Sequence, residues 1–199
     1  MSEIVIVASG GANLASLEFA LERLGARAHV TSDAAVIAAA PRVILPGVGS
    51  AGSAMQRLRA AGLAECLPAL EQPVLGICLG MQLLYALSAE GDTACLGVLP
   101  GAVERLAAAP GLAIPHMGWN QLEPRGRDPL LEGIALGDHA YFVHSFAAPV
   151  GAETLATARH GIEFSAVVRH RNFWGTQFHP ERSGRTGAVI LANFLEVAS

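Results

Sequence analysis

Apolar and polar residues follow two alternating patterns in the first half of the chain. Strands are predicted at 4–8, 26–30, 42–45 and 73–77. Most of these segments consist of short, continuous apolar runs, which are typical of buried strands. The segments between these runs have helical composition. One helical face of the first such segment carries Leu14, Leu17, Leu21 and Leu24. Buried strands that alternate with helices predict a mostly parallel sheet that is flanked by helices on both faces.

The second half of the chain has a different pattern. From Leu96 onward the segments are short and extended, and proline or glycine separates them. The runs 163–170 and 173–178 predict an antiparallel hairpin, and helical spacing returns at 187–197. The sequence therefore predicts an α/β fold, as a single domain over residues 1–199, in which antiparallel strands extend a mostly parallel central sheet.

Cys78 lies where the predicted strand 73–77 turns into a predicted helix, 79–87. A tight turn of this kind lifts its central side chain clear of the sheet, and glycines at 76 and 80 let neighbouring backbone pass close by. The N-terminus of the helix favours a thiolate over a thiol. A free cysteine is also commonly a small buried apolar residue, so this segment alone fits a nucleophile and a core residue about equally well.

A second distinctive segment, His179-Pro180-Glu181, directly follows the predicted strand 173–178. A cysteine nucleophile needs a base to take its proton, and the base needs a third group that fixes its orientation. A lone histidine is commonly structural and a lone glutamate is commonly solvated. Together with Cys78, however, these two residues form a catalytic set.

The loop Pro46-Gly47-Val48-Gly49-Ser50 follows the third predicted strand and lies at the same edge of the sheet. Sites in parallel sheets lie beyond the carboxyl ends of the strands. A loop with two glycines can turn its peptide N–H groups towards a developing oxyanion. Such loops are more often ordinary turns, and it is the position beside the Cys78 strand that favours a function here.

Composition narrows the classes of function. The chain is 52% hydrophobic and only 15% charged, with a net charge of −4, so we expect neither a nucleic acid nor a membrane as partner. Every basic residue is an arginine. This excludes a Schiff-base lysine and the lysine of a phosphate-binding loop.

The cysteines and histidines show no metal or disulfide pattern. Cys66, Cys78 and Cys95 are an odd number without paired spacing, which fits a reducing compartment. The seven histidines are scattered, so we expect no metal site and no cofactor. The sequence also lacks a basic leader segment and an apolar run of membrane-spanning length, and we expect a soluble, cytoplasmic protein.

These motifs together resemble a known family. The segments 76–82 and 179–181 are similar to the signature of the class I (triad) glutamine amidotransferases, and the resemblance covers essentially the whole chain. Within that family, the loop 46–49 and the segments 115–120 and 141–146 resemble those of the glutaminase subunits of imidazole glycerol phosphate synthases. The resemblance implies the flavodoxin-like fold of class I glutaminases.

The resemblance also implies a reaction and its residues. Cys78, His179 and Glu181 would be a catalytic triad that hydrolyses L-glutamine through a thioester. The N–H groups of Leu79 and, after a peptide reorientation, of Val48 would form the oxyanion hole. The expected glutamine-binding groups are Gly49, Gln82 and the backbone of His144, Ser145 and Phe146. Phe146 lacks the hydroxyl that a tyrosine would offer.

A partner is implied by the same resemblance. Ammonia is mostly protonated in neutral water, so a biosynthetic glutaminase must pass it directly to a synthase, and this chain contains no synthase domain. The expected partner is a (β/α)₈-barrel cyclase subunit of histidine biosynthesis, in a heterodimer whose glutaminase is nearly idle until the cyclase binds its nucleotide. The expected interface residues are Met117, Trp119, Asn120 and Arg182.

Two alternatives stay open at the level of sequence. The chain resembles other class I glutaminases, such as those that serve guanylate, anthranilate or pyridoxal phosphate synthesis, but the Val48 loop and the segment 116–120 argue against them. A non-catalytic binding protein on the same fold is the second alternative. The presence of Cys78, His179 and Glu181 together argues against it.

Overall fold

The predicted strands of the first half lie side by side in one sheet. The computed structural model describes residues 3–9, 14–108 and 111–198. In chain order the elements are β1 (Glu3–Val7), α1 (Leu14–Arg23), β2 (Arg27–Thr31), α2 (Ala34–Ala39), β3 (Val43–Gly47), α3 (Ala51–Ala60), α4 (Leu63–Cys66), β4 (Val74–Cys78), α5 (Leu79–Leu83), β5 (Tyr85–Ser88), β6 (Thr93–Ala94), β7 (Leu99–Arg105), β8 (His116–Gln121), β9 (Glu123–Pro124), β10 (His139–His144), β11 (Phe146–Ala147), β12 (Thr154–His160), β13 (Ile162–His170), β14 (Phe173–Thr176) and α6 (Gly184–Glu196). Short 3-10 helices lie at Leu67–Ala69, Pro129–Leu131 and Pro180–Arg182.

The central sheet has eight strands in the order β2-β1-β3-β4-β14-β13-β12-β9. Neighbouring strands are parallel from β2 through to β14 and antiparallel from β14 to β9. This arrangement confirms the predicted fold class. The remaining strands form a four-stranded sheet, β11-β7-β5-β6, and an antiparallel pair, β8 with β10.

Strand β14 joins the parallel half of the sheet to the antiparallel half. It runs parallel to β4, with Thr176 opposite Ile77, and it pairs with β13 in the predicted hairpin. Because β4 and β14 end at the same edge, the residues that follow β14 pass close to Cys78. The topology thereby brings together two sequence motifs that lie about a hundred residues apart.

The hydrophobic core lies on both faces of the sheet. Side chains alternate along β1, so that Ile4 and Ile6 belong to one buried cluster and Val5 and Val7 belong to the other. Residues of α1 and α6 pack in the first cluster, and residues of α2 and α3 pack in the second. Strands buried on both faces explain why the apolar runs of the sequence are continuous.

The predicted helix 79–87 is only half present. Helix α5 ends at Leu83, and the chain continues as strand β5. The backbone N–H groups of Leu96 and Leu99 donate to the carbonyls of Leu83 and Leu84, at 2.9 and 2.8 Å. Long-range pairing of β5 with β6 and β7 therefore outweighs the helical spacing of the segment.

Candidate active site

Cys78 lies at the junction of β4 and α5 in a strained backbone conformation. Its φ and ψ angles are 53° and −111°, a region that non-glycine residues rarely adopt. The neighbouring glycines are explained by close backbone contacts: a Cβ at Gly76 would lie 2.8 Å from the carbonyl carbon of Gly80, and a Cβ at Gly80 would overlap the Leu45 carbonyl. Strain of this kind persists where the surrounding structure enforces it, which is common at functional sites.

His179 and Glu181 are hydrogen-bonded to each other next to Cys78. His179 Nδ1 lies 2.9 Å from Glu181 Oε1, and both side chains are largely buried. The His179 backbone is held as well, since its N–H donates to the Tyr141 carbonyl at 3.0 Å. With Nδ1 engaged by the carboxylate, Nε2 is the ring nitrogen that is free to face the Cys78 sulfur. The structure therefore brings the three predicted triad residues together in one cavity.

The surroundings of His179 favour its protonated form. Burial by itself lowers the pKa of this imidazole, but the hydrogen bonds and charges of Cys78 and Glu181 outweigh burial and raise the pKa to about 10. His179 therefore holds a proton at neutral pH. A protonated imidazole beside a cysteine is the arrangement that a thiolate nucleophile requires, and the same proton can be given to a leaving amine.

The second carboxylate oxygen of Glu181 has no hydrogen-bond partner. Among the described residues, Glu181 Oε2 is the one buried side-chain oxygen or nitrogen in this condition. An unpartnered buried carboxylate oxygen is costly, and here it keeps negative charge close to the imidazole. This supports a role for Glu181 in stabilising the charged form of His179.

The cavity above Cys78 has a volume of about 390 Å³ and suits a small ligand. Loop residues 46–49 line one wall, and residues 143–146 line the opposite wall. The Cys78 thiol lies 3.8 Å from the Val143 carbonyl. The predicted site residues that follow Cys78 in sequence, Leu79 and Gln82, also line this cavity.

The two predicted oxyanion residues, Leu79 and Val48, both line the cavity close to Cys78. Leu79 is the first residue of α5, where backbone N–H groups have no partner within the helix. Val48 lies in the neighbouring loop, directly after Gly47, which is the register partner of Cys78, and it is followed by Gly49 with a φ of 92°. The start of the loop is anchored because the buried Ser9 hydroxyl donates to the Pro46 carbonyl at 2.7 Å.

The predicted glutamine-binding residues have many of their polar atoms already engaged. Gln82 Nε2 donates to the Phe146 carbonyl at 2.8 Å and to Gln177 Oε1 at 2.9 Å, so Oε1 is the atom that Gln82 has left for a ligand. The Ser145 carbonyl accepts from Leu106 N, and His144 Nδ1 also donates to the Phe146 carbonyl. The Phe146 carbonyl therefore already accepts two hydrogen bonds, and the Ser145 carbonyl accepts one.

Sequence reasoning missed Glu90, which lines the same cavity. Its Oε2 accepts a hydrogen bond from Ala51 N at 2.7 Å, at the start of α3. The carboxylate thereby places a negative charge where an ammonium group of a ligand can reach it. Nothing in the local sequence marked this residue, because it lies in a turn just beyond the part of the chain that was predicted as helix.

Three of the predicted interface residues lie on β8, where they divide between its two faces, and Arg182 lies in the 3-10 helix that follows His179. Met117 and Trp119 are 63% and 57% exposed, and the edge of Trp119 contacts the ring of Tyr141. Arg182 covers the other part of that ring, with its guanidinium carbon 4.7 Å from the ring centre, and it also lines the cavity. Asn120 points to the opposite face, where its Nδ2 donates to the Arg159 carbonyl at 2.8 Å. We call Met117, Trp119, Tyr141 and Arg182 the aromatic patch.

Within residues 3–9, 14–108 and 111–198, no group of three or more histidine, cysteine, aspartate or glutamate side chains is arranged to hold a metal ion. No helix in this described part of the chain is long and apolar enough to cross a membrane.

Comparison with known proteins gave matches over almost the whole chain. The family model for glutamine amidotransferase class-I matches residues 6–198. The imidazole glycerol phosphate synthase subunit HisH of Xanthomonas euvesicatoria is 55% identical over 198 residues, covering 100% of this chain and 99% of the relative. The subunit of the same name from Xylella fastidiosa is 52% identical over 197 residues, covering 99% and 98% of the two chains.

Solved structures agree on the fold. A glutamine amidotransferase crystal structure matches with a TM-score of 0.75 and 23% identity, covering 97% of both chains. A chain of PurLQS from Thermotoga maritima matches with a TM-score of 0.71 and 19% identity, covering 98% of this chain and 97% of that one. At these identities the likeness supports the fold alone.

Proposed function

The chain belongs to the class I glutamine amidotransferase family, and from this premise we propose that it is the glutaminase subunit of an imidazole glycerol phosphate synthase. In this role it hydrolyses glutamine to glutamate and ammonia for histidine biosynthesis. The single observation that carries the proposal is the geometry of Cys78, which projects from a strained turn beside the His179–Glu181 pair in a cavity that fits an amino acid. Residues 1–199 act as one amidotransferase domain, and the protein is soluble and cytoplasmic.

The first half of the reaction forms a thioester. The Cys78 sulfur attacks the side-chain amide carbon of glutamine, and the carbonyl oxygen becomes an oxyanion that accepts hydrogen bonds from Leu79 N–H and, after loop reorientation, from Val48 N–H. Collapse of this intermediate breaks the carbon–nitrogen bond. His179 donates its proton to the departing nitrogen, and ammonia leaves. The raised pKa of His179 supports this step because the imidazole holds the required proton at neutral pH.

The second half hydrolyses the thioester. Neutral His179 now accepts a proton from water as the water oxygen attacks the thioester carbon, and the sulfur leaves as thiolate beside the reformed imidazolium. Glutamate is released. Glu181 keeps the imidazole aligned through the 2.9 Å hydrogen bond to Nδ1 and stabilises its positive charge.

The amino-acid end of glutamine lies between the two walls of the cavity. We infer that Glu90 receives the α-ammonium group, since its carboxylate lines the cavity. Gly49, Gln82 Oε1 and N–H groups of 144–146 hold the rest of this end. Opposite charges at short range fix the orientation in which the side-chain amide reaches Cys78.

The ammonia passes to a (β/α)₈-barrel cyclase subunit, which docks on the aromatic patch as a heterodimer. Two features support this arrangement: the patch exposes Met117 and Trp119, and Arg182 belongs both to the patch and to the cavity lining. Exposed aromatic and methionine side chains are enriched at protein interfaces. Docking there places the partner directly beside the site where ammonia forms.

Glutamate release from glutamine tests the proposal. We expect the complex with the cyclase and its nucleotide ligand to release glutamate much faster than the isolated chain, because the partner completes the oxyanion hole. Ammonia supplied directly should bypass this chain and support the cyclase without it. A complex that forms but releases no glutamate with nucleotide bound would disprove the proposed function, and a chain that pairs only with a different synthase would assign it to another pathway.

A further inference from the structure

Two buried histidines have rings that are hydrogen-bonded to each other: His116, which does not line the cavity, and His144, which lies in the cavity wall formed by residues 143–146. They are 5% and 6% exposed and stand directly opposite each other in the β8–β10 pair. His116 Nδ1 lies 3.0 Å from His144 Nε2. The other nitrogen of His144 lies 2.8 Å from the Phe146 carbonyl, and the other nitrogen of His116 lies 3.2 Å from Asn120 Nδ2.

The partners allow one assignment of the ring protons. A carbonyl oxygen only accepts, so His144 Nδ1 carries a hydrogen and, in the neutral ring, His144 Nε2 is an acceptor. His116 Nδ1 must then donate to it, which leaves His116 Nε2 as the acceptor of an Asn120 hydrogen. The Asn120 amide is itself fixed, since Oδ1 accepts from Gln121 N at 2.8 Å and Nδ2 also donates to the Arg159 carbonyl.

The hydrogen bonds continue from the histidines to the nucleophile. The Phe146 carbonyl accepts a second hydrogen bond, from Gln82 Nε2, and the same nitrogen donates to Gln177 Oε1. Gln177 is fully buried, and its Nε2 donates to the Cys78 sulfur at 3.9 Å. An unbroken series of donors and acceptors therefore joins Asn120 to Cys78.

Both histidines are kept neutral, which the assignment requires. Burial, with a smaller contribution from His160, lowers the pKa of His116 to about 4. Burial also lowers the pKa of His144 to about 3, against the opposing hydrogen bond to Phe146 and with the repulsion of His116, His160 and His179. Stacking holds the His116 ring in place, with ring centres 5.1 Å from Phe142 and 4.1 Å from His160.

We propose that Asn120, His116 and His144 are positioning residues in a hydrogen-bond relay between strand β8 and the Cys78 sulfur. Donation runs from Asn120 through the two histidines to the Phe146 carbonyl, where Gln82 Nε2 donates as well, and Gln82 and Gln177 then donate in turn towards the sulfur. The relay fixes the Phe146 carbonyl in the cavity wall formed by residues 143–146. It also orients the side-chain amide of Gln177, which contacts the Cys78 sulfur. Its outer end lies on β8, whose other face carries Met117 and Trp119 of the aromatic patch. The role assigned to the relay rests on the proposed glutaminase function, whereas its proton positions do not.

Asn120→Asp is the sharpest perturbation, because it keeps the size of the side chain and reverses its polarity towards His116. A carboxylate can only accept, so a neutral His116 ring must donate from Nε2 and lose its Nδ1 hydrogen. His144 would then have to donate from Nε2, which leaves Nδ1 facing the Phe146 carbonyl without a hydrogen. Gln121→Glu is the matched control, since it adds the same charge to the next residue, whose side chain is exposed.

Nitrogen-15 NMR of the labelled full chain reads the ring protons directly. The relay predicts that both His116 and His144 carry their hydrogen on Nδ1 in the wild-type protein and in Gln121→Glu. It predicts that Asn120→Asp moves the His116 hydrogen to Nε2. Either histidine found with its hydrogen on Nε2 in the wild-type protein would overturn the relay. This readout needs no turnover, so it is independent of the proposed function.

Glutamate release by the chain assembled with the cyclase reads the positioning role. We expect Asn120→Asp and His116→Phe to lower kcat/KM for glutamine by about tenfold, and Gln121→Glu to stay within about twofold of the wild type. His116→Phe keeps the stacking and removes both hydrogen bonds, and Phe164→Leu controls for loss of packing in the same ring cluster. His116→Gln, which can both donate and accept, should restore part of the activity. If His116→Phe and Phe164→Leu have equal activity at equal thermal stability, the positioning role is wrong, whereas a wild-type complex without glutamate release counts against the proposed function alone.

Discussion

The two walls of the glutamine cavity are ordered in different ways. The wall that carries Cys78 is ordered by its own backbone, since a positive φ at Cys78 and contacts between glycines at 47, 76 and 80 hold the turn. The wall at 143–146 is ordered by side chains from distant parts of the chain, mainly His116 and Gln82. The first wall keeps its shape because glycines allow close backbone contacts. The second wall keeps its shape through hydrogen bonds of polar side chains.

This difference predicts which substitutions abolish glutamate release, which disrupt the local fold of the site and which have smaller effects on binding or stability. We expect Cys78→Ala to lower glutamate release in the complex by about 10⁴-fold or more, because no other group can form the thioester. Cys66→Ala is the matched control and should keep wild-type activity, since Cys66 lies in α4, outside the cavity lining. Equal loss in both variants would point to a structural role for the thiols.

The wall that carries Cys78 should not tolerate the addition of a single methyl group. Gly80→Ala places a Cβ against the Leu45 carbonyl, and we expect it to lower the free energy of unfolding by roughly 2–3 kcal/mol and to displace the Cys78 turn. Gly52→Ala lies in α3 with its nearest side-chain contact at 3.4 Å and should be neutral or stabilising by up to about 1 kcal/mol. Urea denaturation of the two variants compares them. If Gly80→Ala is as stable as Gly52→Ala, the steric account of this wall fails.

The charge at Glu90 should affect binding more than chemistry. Glu90→Gln keeps the shape of the side chain and removes the charge that we assign to the α-ammonium group of glutamine. We expect KM for glutamine to rise about tenfold with kcat little changed, which corresponds to the loss of one charged hydrogen bond. Steady-state kinetics of the complex measures this, with the exposed Glu71→Gln as control. An unchanged KM would remove Glu90 from the glutamine site.

The buried histidines at the wall formed by residues 143–146 should make the stability of the protein sensitive to acid. His116 and His144 have pKa values of about 4 and 3 in the fold, below the ordinary value of 6.5, so the unfolded chain takes up protons that the fold excludes. Their contribution to stability is therefore present above about pH 6.5 and is lost as the pH falls towards 4. His179 has the opposite sign, because its raised pKa gives a contribution that is fully present below about pH 6.5 and is lost as the pH rises from there through about 10.

Urea midpoints measured from neutral pH down to about 5 test this prediction. The wild-type midpoint should fall over this range, and the fall should be smaller in His116→Phe, which has one fewer buried histidine to protonate. Identical acid dependence in the two proteins would show that carboxylates elsewhere cause the loss.

The same contrast explains what the sequence could reveal. The Cys78 turn is a local structure, so the spacing of two glycines around a cysteine between a strand and a helix was enough to predict it. His179 and Glu181 are two residues apart at a strand end, and their hydrogen bond was also predictable. The parallel sheet followed from continuous apolar runs, which are a direct record of burial on both faces.

The wall formed by residues 143–146 depends on the register between strands β8 and β10, which short motifs do not reveal. His116 and His144 meet because they are paired opposite each other in β8 and β10, and Asn120 points inward because it lies four residues further along the same strand. The family resemblance predicted Asn120 at the interface, and no short motif indicated its contact with His116. Glu90 was missed for a related reason, since the segment before it was predicted as helix and forms β5 through long-range pairing instead.

Mass spectrometry of the complex during turnover tests the central claim most directly. Rapid acid quenching of the complex with glutamine and bound nucleotide should trap a glutamyl group on the peptide that contains Cys78, with none on the peptides that contain Cys66 or Cys95. The adduct should form and decay at rates that account for glutamate release. Glutamate release at full rate without any adduct on Cys78 would contradict the account.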